Sequence, residues 1–216
     1  GAPMDFVAID VETANAQWGS ICSFGAVEVS GGRVVARHGW LSKPPARLDW
    51  FDGMNTHIHG ITAEMVAGAP TFADSLRHLL GIIGGRLIVA HNAAFDVGNI
   101  RRACTTEGIE WPRLRYACTL VLSRRTYDLP SYSLPIVADH LDIGLTGHHD
   151  AGSDAEAAAR VMLRLADHHG AATVEDTASA VKVRLGDLYP DTWRGCVATF
   201  PGGNGQPLTM PDADPD

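Results

Sequence analysis

The order of the apolar segments along the chain constrains the fold more than any other feature. Residues 5–12 (DFVAIDVE) and 21–29 (ICSFGAVEV) are rich in β-forming residues, and Gly31-Gly32 separates the second run from a third at 33–40. Runs joined by a short glycine pair are typical of a β-hairpin. The chain is therefore predicted to open with paired antiparallel strands.

Helical and extended segments alternate after residue 60. Helices are predicted over 62–66 with Thr62 as cap, over 72–83, over 93–106 and over 134–141, and strands over 86–91 and from 115. Segment 43–56, which holds Pro44-Pro45, is predicted to be a loop. Hairpin strands followed by alternating strands and helices predict an α/β domain with a mixed sheet.

Composition excludes two broad classes of protein. The net charge of −8 excludes a basic coat that binds DNA by neutralising many phosphates, and no apolar stretch is long enough to cross a membrane. The start lacks the pattern of a signal peptide, and residues 1–3 are interpreted as a cloning remnant ahead of Met4. Cysteines at 22, 104, 118 and 196 are widely spaced, which predicts reduced thiols in a cytoplasmic protein.

Two carboxylates lie within the first apolar run. Asp10 and Glu12 are two residues apart, so a strand places both on one face. Neighbouring carboxylates in an apolar strand repel one another and lose solvation, and a divalent cation would offset both costs. The alternative is an exposed strand end where the two acids have no function.

Two further acids are predicted in the first turns of helices. Asp96 follows the strand over 86–91 in the segment HNAAFD, and Asp154 follows Ser153, which is predicted to form a capping box with Glu156 at the start of a helix to His169. A carboxylate in a first turn also stabilises the helix dipole, so either acid alone has a structural explanation. Asn92 is likewise a candidate helix cap.

Taken together, these segments resemble a known family. IDVET, HNAAFD and HHDAGSDA resemble the three exonuclease motifs of the DEDDh family of 3′→5′ exonucleases, and IHGIT (58–62) is similar to a segment common in the proofreading, epsilon-subunit branch of bacterial DNA polymerase III. The resemblance covers about residues 4–168. It implies an RNase H-like fold, a five-stranded mixed sheet flanked by helices.

The resemblance also implies the site residues and the chemistry. Hydrolysis from the 3′ end would release 5′-mononucleotides with two Mg²⁺ or Mn²⁺ ions, and His149 would be the general base, since His148 breaks the motif spacing. The implied metal ligands are Asp10, Glu12, Asp96 and Asp154. The implied contacts to the terminal nucleotide are Thr13, Ala14, His59, Asn92 and Phe95, with core packing as the alternative for Phe95 and a structural role as the alternative for His59. Thr13-Ala14-Asn15 departs from the Thr-Thr-Gly of many relatives, which leaves substrate preference open.

Arginines follow the second motif in a basic stretch. Because only Lys43 and Lys182 are lysines, phosphate contacts are expected from arginine. The stretch could guide a nucleic-acid backbone or be an ordinary solvated face, and the aromatic residues among the arginines could stack bases or pack. Its members are Arg101, Arg102, Arg113, Arg115, Arg124 and Arg125, with Trp111, Tyr127 and Tyr132.

The domain is predicted to extend over 4–170, followed by an extension over 171–216 whose last part, about 201–216, is rich in Pro, Gly and Asp and predicted to be flexible. Residues 206–210 (QPLTM) faintly resemble peptides that dock on sliding clamps, so a clamp or a DNA polymerase is a candidate partner. Nucleic acid with single-stranded 3′ ends, DNA before RNA, is the expected substrate.

Two other functions compete with a DNA exonuclease. One is a 3′→5′ exoribonuclease or oligoribonuclease that trims RNA. The other is a non-catalytic nucleic-acid-binding module, which should have lost an acid or the histidine; this sequence retains all five.

Overall fold

The computed structural model describes residues 4–145 and 149–199. Its strands are β1 (Phe6–Thr13), β2 (Ile21–Ser30), β3 (Arg33–Leu41), β4 (Ile88–Ala90), β5 (Leu114–Cys118), β6 (Val183–Arg184), β7 (Gly186–Leu188), β8 (Trp193–Arg194) and β9 (Val197–Ala198). Its helices are α1 (Gly53–His59), α2 (Ala63–Val66), α3 (Phe72–Ile83), α4 (Ala93–Glu107), α5 (Thr119–Thr126), α6 (Leu134–His140), α7 (Ala151–His169) and α8 (Val174–Ala180), with a 3₁₀ turn at Ala46–Leu48.

The main sheet is mixed, as the element order predicts. Its strand order is β3-β2-β1-β4-β5-β7-β8; β1, β2 and β3 pair antiparallel, whereas β4 and β5 run parallel to β1. Strand β4 ends at Ala90, one residue past the Ala8–Val89 pair, whereas β1 continues to Thr13, and α4 begins at Ala93. The start of α4 therefore lies beside the last part of β1, which has no strand partner on that side.

Helices cover both faces of the sheet. Gly25 on β2 faces α7, because a Cβ there would lie 2.2 Å from the carbonyl oxygen of Ala151. Phe24, its neighbour in the chain, stacks instead on Phe72 of α3, with 6.5 Å between ring centroids. Since successive strand residues point to opposite faces, α7 and α3 lie on opposite sides. The resulting fold is an α/β sheet between helical layers.

The sheet has seven strands rather than the five predicted from the family resemblance. The two additional strands come from the C-terminal extension: β7 pairs antiparallel with β5, and β8 pairs with β7. Gly186 permits this pairing, because a Cβ there would lie 2.2 Å from the ring of Tyr116. The extension therefore continues the domain's sheet and covers an edge that β5 would otherwise expose. Residues 201–216, with the clamp-like segment, lie outside the described residues.

Two local predictions were wrong. Part of the predicted 43–56 loop belongs to α1, whose N-cap Asp52 accepts a hydrogen bond from the Met54 amide at 2.8 Å. None of its residues is buried, so it has no apolar stripe from which a helix could be recognised. Helix α7 begins at Ala151, earlier than the predicted capping box, because Asp150 accepts the hydrogen bond from the Ser153 amide at 3.0 Å.

Within the described ranges, no helix combines the length and the apolar character needed to cross a bilayer.

Candidate active site

Asp10 and Glu12 lie on one face of β1, on the side where α7 packs. In the β1–β2 ladder Asp10 is opposite Gly25 and Glu12 is opposite Ser23. The Oδ2 atom of Asp10 is buried and has no hydrogen-bond partner among the described residues. A buried carboxylate oxygen without a donor is costly, so its presence points to a ligand from outside the chain.

Asp96 is held against the same strand by a hydrogen bond to its backbone. Strand β4 ends at Ala90, so no strand partner is left for the amide of Val11, and Asp96 Oδ1 accepts that hydrogen bond at 2.9 Å. Its side chain is 1% exposed. The bond fixes the start of α4 to β1 between the two acids of the strand.

The start of α7 supplies Asp154 and His149. Asp154 lies in the first turn and is buried, and its Oδ2 accepts a hydrogen bond from the His149 amide at 3.0 Å. His149 is exposed and has a positive φ of 69°, a conformation in which histidine is more common than most residues. His148, the alternative histidine, lies outside the described residues.

A glycine on β2 allows this approach. The close fit of Gly25 to Ala151 lets the first turn of α7 lie directly on the sheet beside Asp10. Any larger residue would displace the helix that carries Asp154. Gly25 is therefore a determinant of the site, although it offers no functional group, and sequence reasoning did not single it out.

Burial, together with the charges of neighbouring acids, raises the pKa of Asp10, Glu12 and Asp96. Burial raises the pKa of Asp10 well above its usual range, and the charges of Asp96 and Glu12 add to this. Burial raises the pKa of Glu12 to about 8, with Asp154 contributing. Burial also raises the pKa of Asp96, although the hydrogen bond from Val11 opposes the shift. With no cation bound, these three carboxyl groups hold protons more strongly than ordinary acids, and a bound cation would relieve their repulsion.

A metal ion fits the donors present. One ligand atom from each of Glu12, His149 and Asp154 lies within 4.8 Å of the others. No lysine or arginine of the described residues forms an ion pair with Asp10, Glu12 or Asp96. Oxygen donors without a protein cation are the set that Mg²⁺ and Mn²⁺ prefer.

Asp10, Glu12 and Asp154 line a cleft of about 600 Å³, whereas Asp96 is buried behind it and is not part of the lining. Four of the five predicted nucleotide contacts line it, namely Thr13, His59, Asn92 and Phe95. Ala14 does not: it is fully buried in a small cluster with Cys22, Ile61 and Val66. The cleft is also lined by Ile58, His91, Arg124, Tyr132 and neighbouring residues of 131–135.

Helix α1 holds Thr13 through two side chains. His59 Nε2 donates to the Thr13 carbonyl at 2.8 Å and its Nδ1 accepts from the Ile61 amide at 3.0 Å, so the backbone occupies both ring nitrogens. Asn55, one turn earlier, donates to the same carbonyl at 3.1 Å. His59 therefore has the structural role that the sequence left open as the alternative to nucleotide contact. It also lines the cleft. Asn55 was missed because its helix was predicted to be a loop.

The turn after β4 presents Asn92 and Phe95. Asn92 occupies the N-cap position of α4 in the left-handed region, but its side chain forms no capping hydrogen bond and is exposed to the cleft. Phe95 is half-buried and meets Trp18 edge-to-face, with centroids 5.9 Å apart. Phe95 therefore combines core packing with a surface in the cleft.

His91, the first residue of the segment HNAAFD, has a structural role that the sequence did not reveal. Its Nε2 donates to the Tyr132 carbonyl at 2.8 Å, and Thr119 Oγ1 lies 2.8 Å from its Nδ1. Burial lowers the pKa of His91 to about 4, and the charge of Arg124 contributes. A neutral imidazole thus ties the end of β4 to the loop before α6 and shapes one wall of the cleft.

The basic stretch does not form one surface. Arg101 lies between the rings of Trp111 and Trp193, at 5.1 and 4.9 Å from their centroids. Arg113 lies over Tyr189, away from the cleft. Trp111 therefore packs against Arg101, which is the alternative that the sequence left open to the stacking of bases.

An RNase H-like sheet with buried acids at the ends of β1 and β4 defines a class of protein, the nucleases that cleave phosphodiester bonds with metal ions. The comparisons with known proteins agree with this class. The family model for exonucleases matches residues 7–162. The chain therefore belongs to the exonuclease family, and its predicted place among the DEDDh 3′→5′ exonucleases, with similarity to the epsilon-like exonuclease of polymerase III, is confirmed.

Individual relatives show how far the likeness extends. The PolC-type DNA polymerase III of Thermotoga maritima is 36% identical over 162 residues, which are 74% of this chain and only 12% of that polymerase. The solved structure of Exonuclease X in complex with 5′-overhanging duplex DNA has a TM-score of 0.66 and 27% identity, and covers 81% of this chain and 98% of that one. A 3′-exonuclease that recognises the 3′ end of a histone mRNA stem-loop has a TM-score of 0.72 at 16% identity, with 98% of each chain covered, which shows the fold alone.

Proposed function

We propose that the chain is a divalent-metal-dependent 3′→5′ exonuclease of DNA that releases 5′-mononucleotides in replication proofreading or repair. One observation carries this proposal. Carboxylates from β1, α4 and α7 meet beside a cleft, and a buried oxygen of Asp10 has no donor among the described residues.

The proposed ligands of two Mg²⁺ or Mn²⁺ ions are Asp10, Glu12, Asp96 and Asp154. Asp10 is central, because the charges of the other three acids all add to the effect of burial in raising its pKa. When bound, the ions supply positive charge to the scissile phosphate, and to the attacking and leaving oxygens. The acids offset this positive charge, and the hydrogen bond from Val11 fixes the orientation of Asp96.

His149 is the proposed general base. Its backbone is tied to Asp154 while its ring remains exposed at the cleft, so an imidazole nitrogen can take a proton from the attacking water. The water oxygen forms a bond to phosphorus, the bond from phosphorus to the 3′-oxygen of the preceding nucleotide breaks, and that oxygen takes up a proton from solvent. The products are a 5′-mononucleotide and a strand with a new 3′-hydroxyl.

The terminal nucleotide is proposed to lie against Thr13, Asn92 and Phe95, with His59 setting the Thr13 carbonyl. All four line the cleft.

DNA is proposed over RNA from the kinds of relative found. The PolC-type relatives are DNA polymerases by name, and Exonuclease X was solved with duplex DNA at 27% identity. The structures named for RNA are 14–16% identical to this chain and carry the fold only. A polymerase partner is proposed from the PolC relatives alone, while the clamp-like segment lies outside the described residues.

The test compares 3′-labelled single-stranded DNA and RNA of one sequence, with EDTA, Mg²⁺ or Mn²⁺. We expect stepwise release of 5′-mononucleotides that EDTA abolishes and either ion restores, with a higher kcat/KM for DNA. Activity in EDTA would contradict the metal site, faster cleavage of RNA would assign a ribonuclease, and binding without cleavage would assign a non-catalytic module.

A further inference from the structure

An acidic cleft is a poor site for a polyanion unless part of it carries positive charge. Metal ions can neutralise the scissile phosphate, but the phosphates further along the strand remain opposite carboxylates. Among the described residues that line the cleft, Arg124 is the only arginine or lysine. It lies on the wall formed by α5 and the loop before α6.

The structure leaves the charge of Arg124 available. The guanidinium lies over the Tyr132 ring, 6.0 Å from its centroid, and the side chain is exposed. No carboxylate of the described residues forms an ion pair with it. Arg86 and Arg194, by contrast, pair with Glu28 and Asp187.

The fold fixes the direction of this side chain. Leu120 and Arg124 are one helical turn apart on α5, and both line the cleft. The next residue, Arg125, is directed elsewhere, since its Nε donates to the Val181 carbonyl at 3.3 Å. Arg124 and Arg125 are adjacent in the chain but point in different directions from α5. Of these two, Arg124 lines the cleft.

Helix α1 contributes Asn55, Ile58 and His59 to the cleft lining, and no carboxylate, lysine or arginine. Ile58 is the apolar member of this set and is 47% exposed. A strand bound with its backbone towards α5 and its bases towards α1 would place its phosphates near the one arginine of the lining and its bases near Ile58.

We propose that Arg124, oriented by the Tyr132 ring, binds a backbone phosphate of the substrate strand upstream of the phosphate that is cleaved. The proposal rests on the proposed function for the presence of a nucleic-acid strand. A planar guanidinium can donate two hydrogen bonds to one phosphate, and the cation–π contact with the Tyr132 ring favours one direction of the side chain. Arg124 would therefore determine affinity and the register of the strand rather than the chemical step.

The test is a scan with neutral phosphates. A single-stranded oligonucleotide carries one methylphosphonate at each internal linkage in turn, and its affinity is measured by fluorescence anisotropy in Mn²⁺ with His149→Ala protein, which the proposed mechanism makes inactive. One linkage should lose about 10- to 100-fold in affinity when neutralised. Adding Arg124→Gln should weaken the unmodified strand by the same factor and abolish the penalty at that linkage, while Arg125→Gln, the matched control, should leave it intact.

A second measurement separates charge from geometry. The slope of log affinity against log salt should fall by about 0.7 in Arg124→Gln, the value for one phosphate of a single strand. Arg124→Lys should keep the slope and lose affinity, because lysine lacks the planar fork. Equal thermal stability of the variants controls for folding.

The outcomes distinguish this proposal from the proposed function. A penalty that persists in Arg124→Gln, or that Arg125→Gln removes instead, would overturn the role of Arg124 even if the wild-type protein digests DNA. If wild-type protein binds but never cleaves, yet Arg124→Gln removes the penalty, the exonuclease proposal fails and the phosphate contact stands.

Discussion

Two glutamates on neighbouring strands have opposite electrostatic surroundings. Glu28 on β2 contacts His38 Nε2 at 2.7 Å and pairs with Arg86, and these partners lower its pKa. Glu12 on β1 lies beside Asp10 and Asp154, and burial among acids raises its pKa to about 8. Glu28 is thus paired with basic side chains of this chain, whereas Glu12 is surrounded by other acids.

The difference shows which acids serve the fold and which require a ligand. Arg86 reaches Glu28 from the connection between α3 and β4, and His38 reaches it from β3, so Glu28 finds its partners within the chain. The cleft gathers acids at the cost of stability and leaves a buried oxygen of Asp10 without a donor. A cation bound between these acids would offset the cost of their burial and repulsion.

The largest expected effect would test the cleft as a catalytic site. His149→Ala should lower kcat about 10²–10⁴-fold with little change in stability, because the ring is exposed and the loss is that of a general base. Single-turnover digestion of DNA measures it. His57→Ala is the control, since His57 is an exposed histidine outside the cleft lining. Equal losses in the two variants would remove His149 from the mechanism.

The second-largest expected effect comes from moving the start of α7 without replacing any of the acids. Gly25→Ala places a Cβ against Ala151 and should displace the start of α7. We expect a loss of about 1–3 kcal/mol in the free energy of unfolding and about 10²-fold in kcat. Gly39→Ala is the matched control, because Gly39 pairs with Gly25 but its nearest neighbour would be 4.0 Å away. Full activity in Gly25→Ala would show that the close approach does not matter.

A smaller effect would measure the electrostatic cost of the cleft. In EDTA, Glu12→Gln should raise the free energy of unfolding by about 1–3 kcal/mol at pH 8, after allowance for solvent in the cleft. The pKa of Glu12 is raised on folding to about 8, so its cost is absent below about pH 4.5, grows as the pH rises and is complete above 8. Urea unfolding at pH 5 and pH 8 measures it, and a destabilised Glu12→Gln at pH 8 would contradict the account.

The smallest effect has the opposite sign. Glu28→Gln should lower the free energy of unfolding by about 0.5–1 kcal/mol at neutral pH, because the pair with Arg86 is partly exposed. The pKa of Glu28 is lowered on folding, so its contribution is present above about pH 4.5 and disappears as the pH falls through the folded pKa. Activity should not change. A pH dependence like that of Glu12→Gln would erase the distinction between the two clusters.

Much of this arrangement could be predicted from the sequence because its signals are local. Apolar runs and glycine turns predicted the β1–β3 hairpins, and α3 has the bounds that its stripe of leucines indicates. The positions of Asp10, Glu12, Asp96 and Asp154 relative to strand ends and helix starts followed from the same patterns together with the family motifs.

The rest depends on contacts between distant segments, which leave no local pattern. Gly25 matters only because Ala151 packs on it, and β7 joins the sheet only because Gly186 fits beside Tyr116. Arg124 and Arg125 are adjacent in the sequence and differ only in the direction that α5 gives them. Helix α1 was missed because it buries nothing, although it carries Asn55 and His59 to Thr13.

Direct titration of metal binding tests the central claim, that the acids of the cleft form a site for paired cations. Free Mn²⁺ is followed by its electron paramagnetic resonance signal during addition to wild-type protein, Asp10→Asn and Glu28→Gln, with an unlabelled DNA strand present. The account predicts two bound ions per chain in the wild type and in Glu28→Gln, and loss of both in a folded Asp10→Asn. Unchanged uptake in Asp10→Asn, or none in the wild type, would contradict it.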